Sequence, residues 1–129
     1  MKMIRHVVLI NWKQGAAPKD IEDWIVLCNR IPDECPMVYN WFSSYSIPGP
    51  GPAKPSTHEF CLHFDLRSRA EWNQYLVHPW PNRVYSEGEK IIDLDRTASV
   101  NMTVDAEPVS TSSRLLDREV YDGGANSLE

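Results

Sequence analysis

The sequence predicts an α+β fold, a ferredoxin-like βαββαβ subunit, on three observations. Four short segments are rich in β-branched and aromatic residues, and helical periodicity separates them in two places. Their order along the chain is that of the split βαβ motif. A length of 129 residues with 42% hydrophobic and 24% charged content suits one domain with a single core. We therefore expect one antiparallel sheet with the helices on one face.

Composition and charge argue against several classes of function. The formal net charge is -5, and the 13 Lys and Arg residues are scattered, whereas a nucleic-acid surface needs clustered cations. No apolar stretch is long enough to span a membrane. The three cysteines, Cys28, Cys35 and Cys61, show neither a CxxC spacing nor a disulfide framework. We expect a cytoplasmic protein with reduced thiols that binds neither nucleic acid nor membranes.

The first strand is predicted in MIRHVVLINW, residues 3–12, where nearly every position is apolar or aromatic. Alternate residues point to one face of a strand. One face here carries Ile4, His6, Val8, Ile10 and Trp12. A helix is predicted from Pro18 to Asn29, because apolar residues then recur at i, i+3, i+4 and i+7.

The second and third strands are predicted on either side of a proline-rich loop. MVYNWFSSYSI, residues 37–47, is rich in β-forming aromatics. The following segment, residues 47–56, has no apolar periodicity and indicates an exposed loop. THEFCLHFD, residues 57–65, then alternates, with His58, Phe60, Leu62 and Phe64 on one face. These features place His58 on the same face of the sheet as the buried aromatics.

The second helix is predicted from its capping box. Ser68 and Glu71 have the S-x-x-E spacing that satisfies amides at a helix start. The helix should end near Val77, because the ring of Pro79 disfavours helical geometry at the residue before it. A further helical stretch is predicted over residues 82–92, and a last strand over residues 94–104, where apolar and polar residues alternate.

The sequence after Asp105 is polar, Ser-rich and Gly-containing, which predicts that the folded domain ends there. We expect one domain over residues 1–105 and an extended or disordered tail over residues 106–129. The face of the sheet opposite the helices also needs a cover, because it carries apolar side chains such as Val7, Leu9 and Cys61. A second copy of the chain would supply that cover in an isologous homodimer.

Four stretches together resemble the stress-responsive dimeric α/β-barrel (Dabb) domain. They are MIRHVVLINWK at the start, STHEFCLHFD in the middle, YLVHP at the end of the second helix and NMTVD in the last strand. The resemblance covers residues 1–105 and implies a homodimeric α+β barrel. The family holds plant stress proteins, plant olivetolic acid cyclase and fern hydroxynitrile lyases. It therefore implies an enzyme that needs no cofactor, or a stress-responsive protein.

The cyclase-like members have a cavity between sheet and helices, which implies a small-molecule ligand. Their first-strand histidine, third-strand histidine and second-helix tyrosine match His6, His58 and Tyr75 here. The resemblance implies that Tyr75 holds a carbonyl oxygen and that His58, with His6, moves a proton. Their catalytic histidine is replaced by Pro81, because the usual HPAH pattern reads HPWP. A proline side chain transfers no proton, so the substrate should differ from that of the cyclases.

Six further residues are predicted to contact the substrate. Val8, Trp24 and Phe60 would form apolar walls, and Arg83 and Tyr85 would close over the cavity in place of the missing histidine. Trp80 adds a large ring beside Pro81 and is expected to narrow the cavity mouth.

Each candidate also has a purely structural interpretation. His6 and His58 would then be core histidines bonded to backbone or water, Tyr75 a core tyrosine, and the aromatic residues ordinary packing. No carboxylate or thiol stands at ligand spacing beside the histidines, so no metal site is expected. Two functions stay open. The first is an enzyme of the lyase, cyclase or isomerase class acting on a carbonyl-bearing aromatic or polyketide-like compound. The second is a non-catalytic ligand-binding barrel.

Overall fold

The computed structural model describes residues 1–47 and 56–112 and confirms the ferredoxin-like α+β fold. One antiparallel sheet has the strand order β2-β3-β1-β4. The strands are β1 (Lys2–Ile10), β2 (Tyr39–Tyr45), β3 (Phe60–Leu66) and β4 (Ala98–Asp105). The helices are α1 (Pro18–Cys28), α2 (Ile31–Glu34), α3 (Arg69–Val77) and α4 (Pro79–Gly88), with a short 3₁₀ turn at Leu94–Arg96. The predicted proline loop over residues 48–55 and the tail over residues 113–129 lie outside the described residues.

The core lies between one face of the sheet, which we call the inner face, and the helices. In β3, Phe60, Leu62 and Phe64 are buried on this face. They pack with Trp24 of α1 and Tyr75 of α3, which are 5% and 1% exposed. Burial of these large side chains is the main source of stability. None of the helices in residues 1–47 and 56–112 is long and apolar enough to cross a membrane.

The first helix and the start of α3 form as the sequence predicts. Pro18 opens α1, where the missing amide of proline costs nothing, and α1 ends at Cys28. Ser68 caps α3 and its hydroxyl accepts from the Glu71 amide at 3.2 Å. The carboxylate of Glu71 accepts from the amide of Arg67 at 2.8 Å, one residue earlier than in the standard capping box.

Several element boundaries differ from the prediction. The helix expected over residues 82–92 begins at Pro79, because proline suits the first helical turn and His78 caps it: Nδ1 of His78 accepts from the Trp80 amide at 3.1 Å. It ends at Gly88. The third strand begins at Phe60, so His58 precedes the strand, and the last strand begins at Ala98, after the 3₁₀ turn. The short helix α2 was not predicted.

The opposite face of the sheet, the outer face, carries a buried carboxylate. Asp65 is fully buried, and both its oxygens accept from the guanidinium of Arg5, at 2.7 and 2.9 Å. The amide of Asn40 donates to it at 2.7 Å. Asn40 has a φ of 55° at an irregularity of β2, which asparagine tolerates better than most residues. The network joins the three strands β1, β3 and β2.

Residues 106–112, which come after β4, bind the β2 edge of the sheet. The Asn40 amide and carbonyl groups bind this segment: Asn40 N donates to Val109 O at 2.8 Å, and Asn40 Oδ1 accepts from Val109 N at 3.0 Å. The amide of Trp41 donates to the Thr111 hydroxyl at 3.0 Å. The first part of the predicted tail is therefore attached to the domain through the residue that also binds Asp65.

We predict that Asp65→Ala lowers the free energy of unfolding by about 3 kcal/mol, because Arg5 and Asn40 lose a buried partner. Urea unfolding followed by circular dichroism measures this loss. The matched control is Asp105→Ala, which removes the exposed carboxylate that binds Lys2 at 3.0 Å, and should cost about 1 kcal/mol or less. Equal losses in the two variants would show that the buried network has no special role.

Candidate active site

A cavity of about 270 Å³ lies between the inner face of the sheet and the helices. Its walls are mostly apolar, and few polar groups reach it. Strands contribute His6, Val8, Ile10, Leu62 and Ser99; helices and connections contribute Trp24, Cys28, Ile31, Tyr75, Tyr85, Gly88, Glu89, Ile92, Leu94 and Thr97. An apolar cavity with a few converging polar groups is the usual form of a small-molecule site.

His6 is fixed in one tautomer by a neighbour on β4. The register of β1 and β4 sets His6 opposite Asn101, and Nδ1 of His6 lies 2.6 Å from Oδ1 of Asn101. An amide oxygen only accepts, so Nδ1 carries the proton and Nε2 keeps its lone pair. Burial disfavours the cation and lowers the pKa of His6, although the Asn101 hydrogen bond acts in the opposite direction. His6 is therefore a neutral base.

The ring of His6 is held by aromatic neighbours. Its centroid lies 5.0 Å from that of Trp72 and 5.4 Å from that of Phe64. The side chain is only 9% exposed. The imidazole is thus oriented by packing as well as by its hydrogen bond, as a catalytic group must be.

Two tyrosines form the second polar element of the cavity. The hydroxyls of Tyr75 and Tyr85 lie 2.6 Å apart. Burial raises the pKa of both phenols, to well above the usual value for Tyr75. Both are therefore protonated at neutral pH. One hydroxyl proton forms the bond between them, which leaves the other available to an oxygen in the cavity.

The early start of α4 brings Tyr85 to Tyr75. His78 ends α3 and caps α4, so the two helices follow each other without a loop. Tyr85 then lies on the second turn of α4 beside the end of α3. Because Nδ1 of His78 accepts from the Trp80 amide, this histidine acts as a helix cap. The sequence predicted a helix end near Val77, and α3 does end there, but the cap of α4 by His78 was not predicted.

Close packing of α1 against α4 closes one end of the cavity. Nε1 of Trp24 donates to the Val84 carbonyl at 2.9 Å. Gly88 permits this approach, because a Cβ there would lie 2.9 Å from Trp24 Nε1 and from Ile92 Cδ1. A residue without a side chain is therefore needed at Gly88, where α1 and α4 meet.

Five of the nine predicted site residues line the cavity: His6, Tyr75, Val8, Trp24 and Tyr85. His58 does not join them. It precedes β3, is half-buried, and its Nδ1 lies 2.9 Å from the Thr57 hydroxyl. Phe60 is buried behind the cavity, where its ring packs on those of Trp12, Trp24 and Tyr45.

Trp80 and Arg83 lie outside the cavity walls. The Trp80 ring is covered by two guanidinium groups, with Arg30 at 4.5 Å and Arg83 at 5.0 Å from its centroid. Cation–π contact and packing therefore explain this ring. The expected narrowing of the mouth by Trp80 does not occur, because the ring faces the arginines. Pro81 is buried in the first turn of α4 and also stays outside the cavity.

Sequence reasoning missed Asn101. It belongs to the polar row of the last strand, which the alternation identifies, but alternation alone does not show that this row faces the helices. The β1–β4 register settles that point, since Asn101 pairs with His6. Cys28 lines the cavity as a thiol, because burial raises its pKa. In residues 1–47 and 56–112, no cluster of His, Cys, Asp or Glu could hold a metal ion.

Neither a scan against protein-family models nor a sequence search of curated proteins finds a match. Solved structures do match. A dimeric ferredoxin-like protein of unknown function from Thermobifida fusca YX has a TM-score of 0.66 at 18% identity, over 80% of this chain and 92% of that one. A Dabb-family protein with a ferredoxin-like fold from Mesorhizobium loti has a TM-score of 0.63 at 16% identity, over 83% of this chain and 100% of that one.

A third solved structure is that of an enzyme. The hydroxynitrile lyase from Passiflora edulis has a TM-score of 0.68 at 16% identity, over 81% of this chain and 95% of that one. These likenesses confirm the ferredoxin-like fold, and they agree with the Dabb resemblance in the sequence. Several of the matching proteins are described as dimeric.

We predict that His6 titrates below its usual value of 6.5, because burial opposes its charge. NMR titration of the imidazole resonances measures this pKa. Below pH 6.5 the unfolded chain then binds more protons at His6 than the folded protein, so His6 lowers stability as the pH falls. Asn101→Asp should raise the pKa, because a carboxylate favours the imidazolium. A pKa at or above 6.5 in the unmodified protein would contradict the argument.

Proposed function

We propose that this protein is a small-molecule enzyme of the lyase, cyclase or isomerase class. Its substrate would be a carbonyl-bearing aromatic or polyketide-like compound, and His6, Tyr75 and Tyr85 would supply the acid–base chemistry. One observation carries the proposal: a single apolar cavity presents a neutral histidine of fixed tautomer and a hydrogen-bonded pair of phenols. Structural likeness to a hydroxynitrile lyase supports the lyase class.

His6 would act as the general base. Its Nε2 lone pair takes a proton from the substrate, either from a hydroxyl or from a carbon next to the carbonyl group. Asn101 keeps the proton on Nδ1 and stabilises the imidazolium that forms. Because burial lowers the pKa of His6, the base form persists at neutral pH.

The phenol pair would hold the substrate oxygen. Their raised pKa values keep Tyr75 and Tyr85 protonated, so the pair donates rather than accepts. Its remaining hydroxyl proton would bind the carbonyl oxygen, on which negative charge develops as the base removes the proton. Donor strength is increased by the bond between the two hydroxyls, because a phenol that accepts a hydrogen bond is polarised toward donating one.

The apolar walls would bind the ring or chain of the substrate. Val8, Trp24 and Ile92 surround the polar groups, and the space of about 270 Å³ suits a molecule with one aromatic ring. His58 is left out of the proposed mechanism, because it does not reach this space. Trp80, Arg83 and Phe60 are likewise given no contact with substrate.

A second function, binding without catalysis, is favoured by one observation. The hydroxyls of Tyr75 and Tyr85 bond to each other and His6 bonds to Asn101, so each of these polar groups has a partner within the protein. Such a site also suits a stress-responsive or carrier protein that holds an apolar ligand. Turnover separates the two functions, since a carrier releases its ligand unchanged.

We predict that His6→Gln and Tyr75→Phe each lower kcat/KM by about 10²–10⁴, because each removes one proton-transfer or oxygen-binding group. The assay follows the release of aromatic aldehyde from mandelonitrile, and enolisation of aryl ketones, by ultraviolet absorbance. His58→Gln is the matched control, since His58 lies outside the cavity, and should keep full activity. Equal activity in all three variants would refute these roles. Saturable binding of the probes without turnover would favour the carrier.

We further propose that the chain forms a homodimer through the outer face of its sheet. Large apolar side chains remain exposed there, with Phe42 and Val100 at 48% and Met102 at 42%. His63 stacks on Phe42, and its Nδ1 is buried without a partner among the described residues. An apolar sheet face of this kind is normally covered. Similar proteins described as dimeric support this assembly.

We predict that Val100→Asp converts the dimer to a monomer, because it places a charge in the apolar contact. Size-exclusion chromatography with light scattering measures the mass at micromolar concentration. Val77→Asp is the matched control: Val77 is 78% exposed on α3, away from the sheet, so this variant should stay dimeric. A monomeric unmodified protein would overturn the proposed assembly.

A further inference from the structure

A second groove, separate from the cavity, lies between the start of α3 and the edge strand β4. Its volume is about 240 Å³. It is lined by Ile4, Arg69, Trp72, Asn101, Met102 and Thr103. No carboxylate is among these residues. We name this space the β4 groove.

We propose that the β4 groove is a binding site for a small aromatic carboxylate. Its polar side chains offer donors: the guanidinium of Arg69, the NH₂ of Asn101 and the hydroxyl of Thr103. Asn101 gives its oxygen to His6, so its NH₂ is left for the groove. Within residues 1–47 and 56–112, Arg69 makes no ion pair, and neither this NH₂ nor the Thr103 hydroxyl has a hydrogen-bond partner.

A carboxylate can accept hydrogen bonds from all of these donors. Its two oxygens accept up to four hydrogen bonds, and a guanidinium binds both oxygens at once. The position of the donors follows from the fold. Arg69 and Trp72 lie three residues apart on one side of α3, and Asn101 and Thr103 lie two residues apart on the inner face of β4.

The aromatic part of the ligand is inferred from Trp72. This indole is half-buried and held between His6 and Tyr75, with ring centroids 5.0 and 5.9 Å away. Its indole lines the groove, and Ile4, on the same inner face as Asn101 and Thr103, adds apolar surface. A flat ring against Trp72 with a carboxylate at Arg69 uses both parts of the groove.

A ligand in the β4 groove would affect the hydrogen bond of His6. Asn101 belongs to both places, because its oxygen binds His6 and its NH₂ faces the groove. A carboxylate on that NH₂ would fix the amide orientation and so the tautomer of His6. The binding site itself does not depend on the proposed catalysis, and its test requires no turnover.

The test is a titration of the full chain with benzoate, followed by ¹H–¹⁵N NMR. Saturable shifts are expected at the Trp72 indole, at the amides of Asn101 and Thr103, and at the His6 ring. Benzamide, which has the same shape without the charge, should bind at least about tenfold more weakly, since charge-assisted hydrogen bonds are roughly twice as strong as neutral ones. Equal binding of benzamide and benzoate would overturn the proposal.

Variants separate the groove from non-specific attraction. Arg69→Gln should weaken benzoate binding about tenfold, and Thr103→Val should weaken it about threefold, in line with the loss of a charged and a neutral donor. Arg96→Gln is the matched control: it removes the same charge at an exposed site outside the groove and should change nothing. Thermal melts check that each variant is folded.

Three results would overturn the site. Arg69→Gln and Arg96→Gln could bind benzoate equally, which would indicate general charge attraction. The shifts could instead appear at Ile92 and Leu94, which line the cavity, and not in the groove. Inorganic phosphate could bind the groove as tightly as benzoate does, which would show that Trp72 does not contribute to binding through an aromatic ring of the ligand.

Discussion

The buried carboxylate of Asp65 is the interaction on which the arrangement of the sheet depends. Arg5 and Asn40 bind it from the two neighbouring strands, so the register of β2, β3 and β1 is fixed at one point. A one-residue slip would move every side chain to the other face of the sheet. It would also leave Asp65 buried and unpaired. Asn40 then attaches residues 106–112 to the same point.

The strand register also determines which side chains meet in the candidate site. His6 follows Arg5 on β1 and therefore points to the inner face. The β1–β4 pairing sets it against Asn101, and this contact determines which imidazole nitrogen is free. The same strand gives Thr103 to the β4 groove. The polar side chains on one face of β4 thus lie next to both the cavity and the β4 groove. The apolar side chains of β4 lie on the outer face.

Most of the fold follows from short-range patterns in the sequence. The predicted and observed structures differ where an element boundary or a side-chain contact depends on residues distant along the chain. A continuous apolar run located β1, helical periodicity located α1 and a capping box located α3, because each of these signals lies within one element. His58 was placed in a strand by alternation, but pairing with β1 ends at Phe60, opposite Ile10. Tyr75 and Tyr85 both line the cavity, but the contact between their hydroxyls could not be derived from the sequence, since it depends on where α4 begins.

The HPWP sequence changes which polar side chains line the cavity. In the pattern that it resembles, a histidine stands where this chain has Pro81, and a proline side chain has no proton to exchange. Pro79 and His78 start α4 early, and this start brings a phenol, Tyr85, to Tyr75. Phenols with raised pKa values donate at neutral pH and do not act as bases. Among the buried side chains that line the described cavity, His6 is then the one suited to accept a proton, because the carboxylate of Glu89 is exposed to solvent. Its contact with Asn101 determines which imidazole nitrogen would do so.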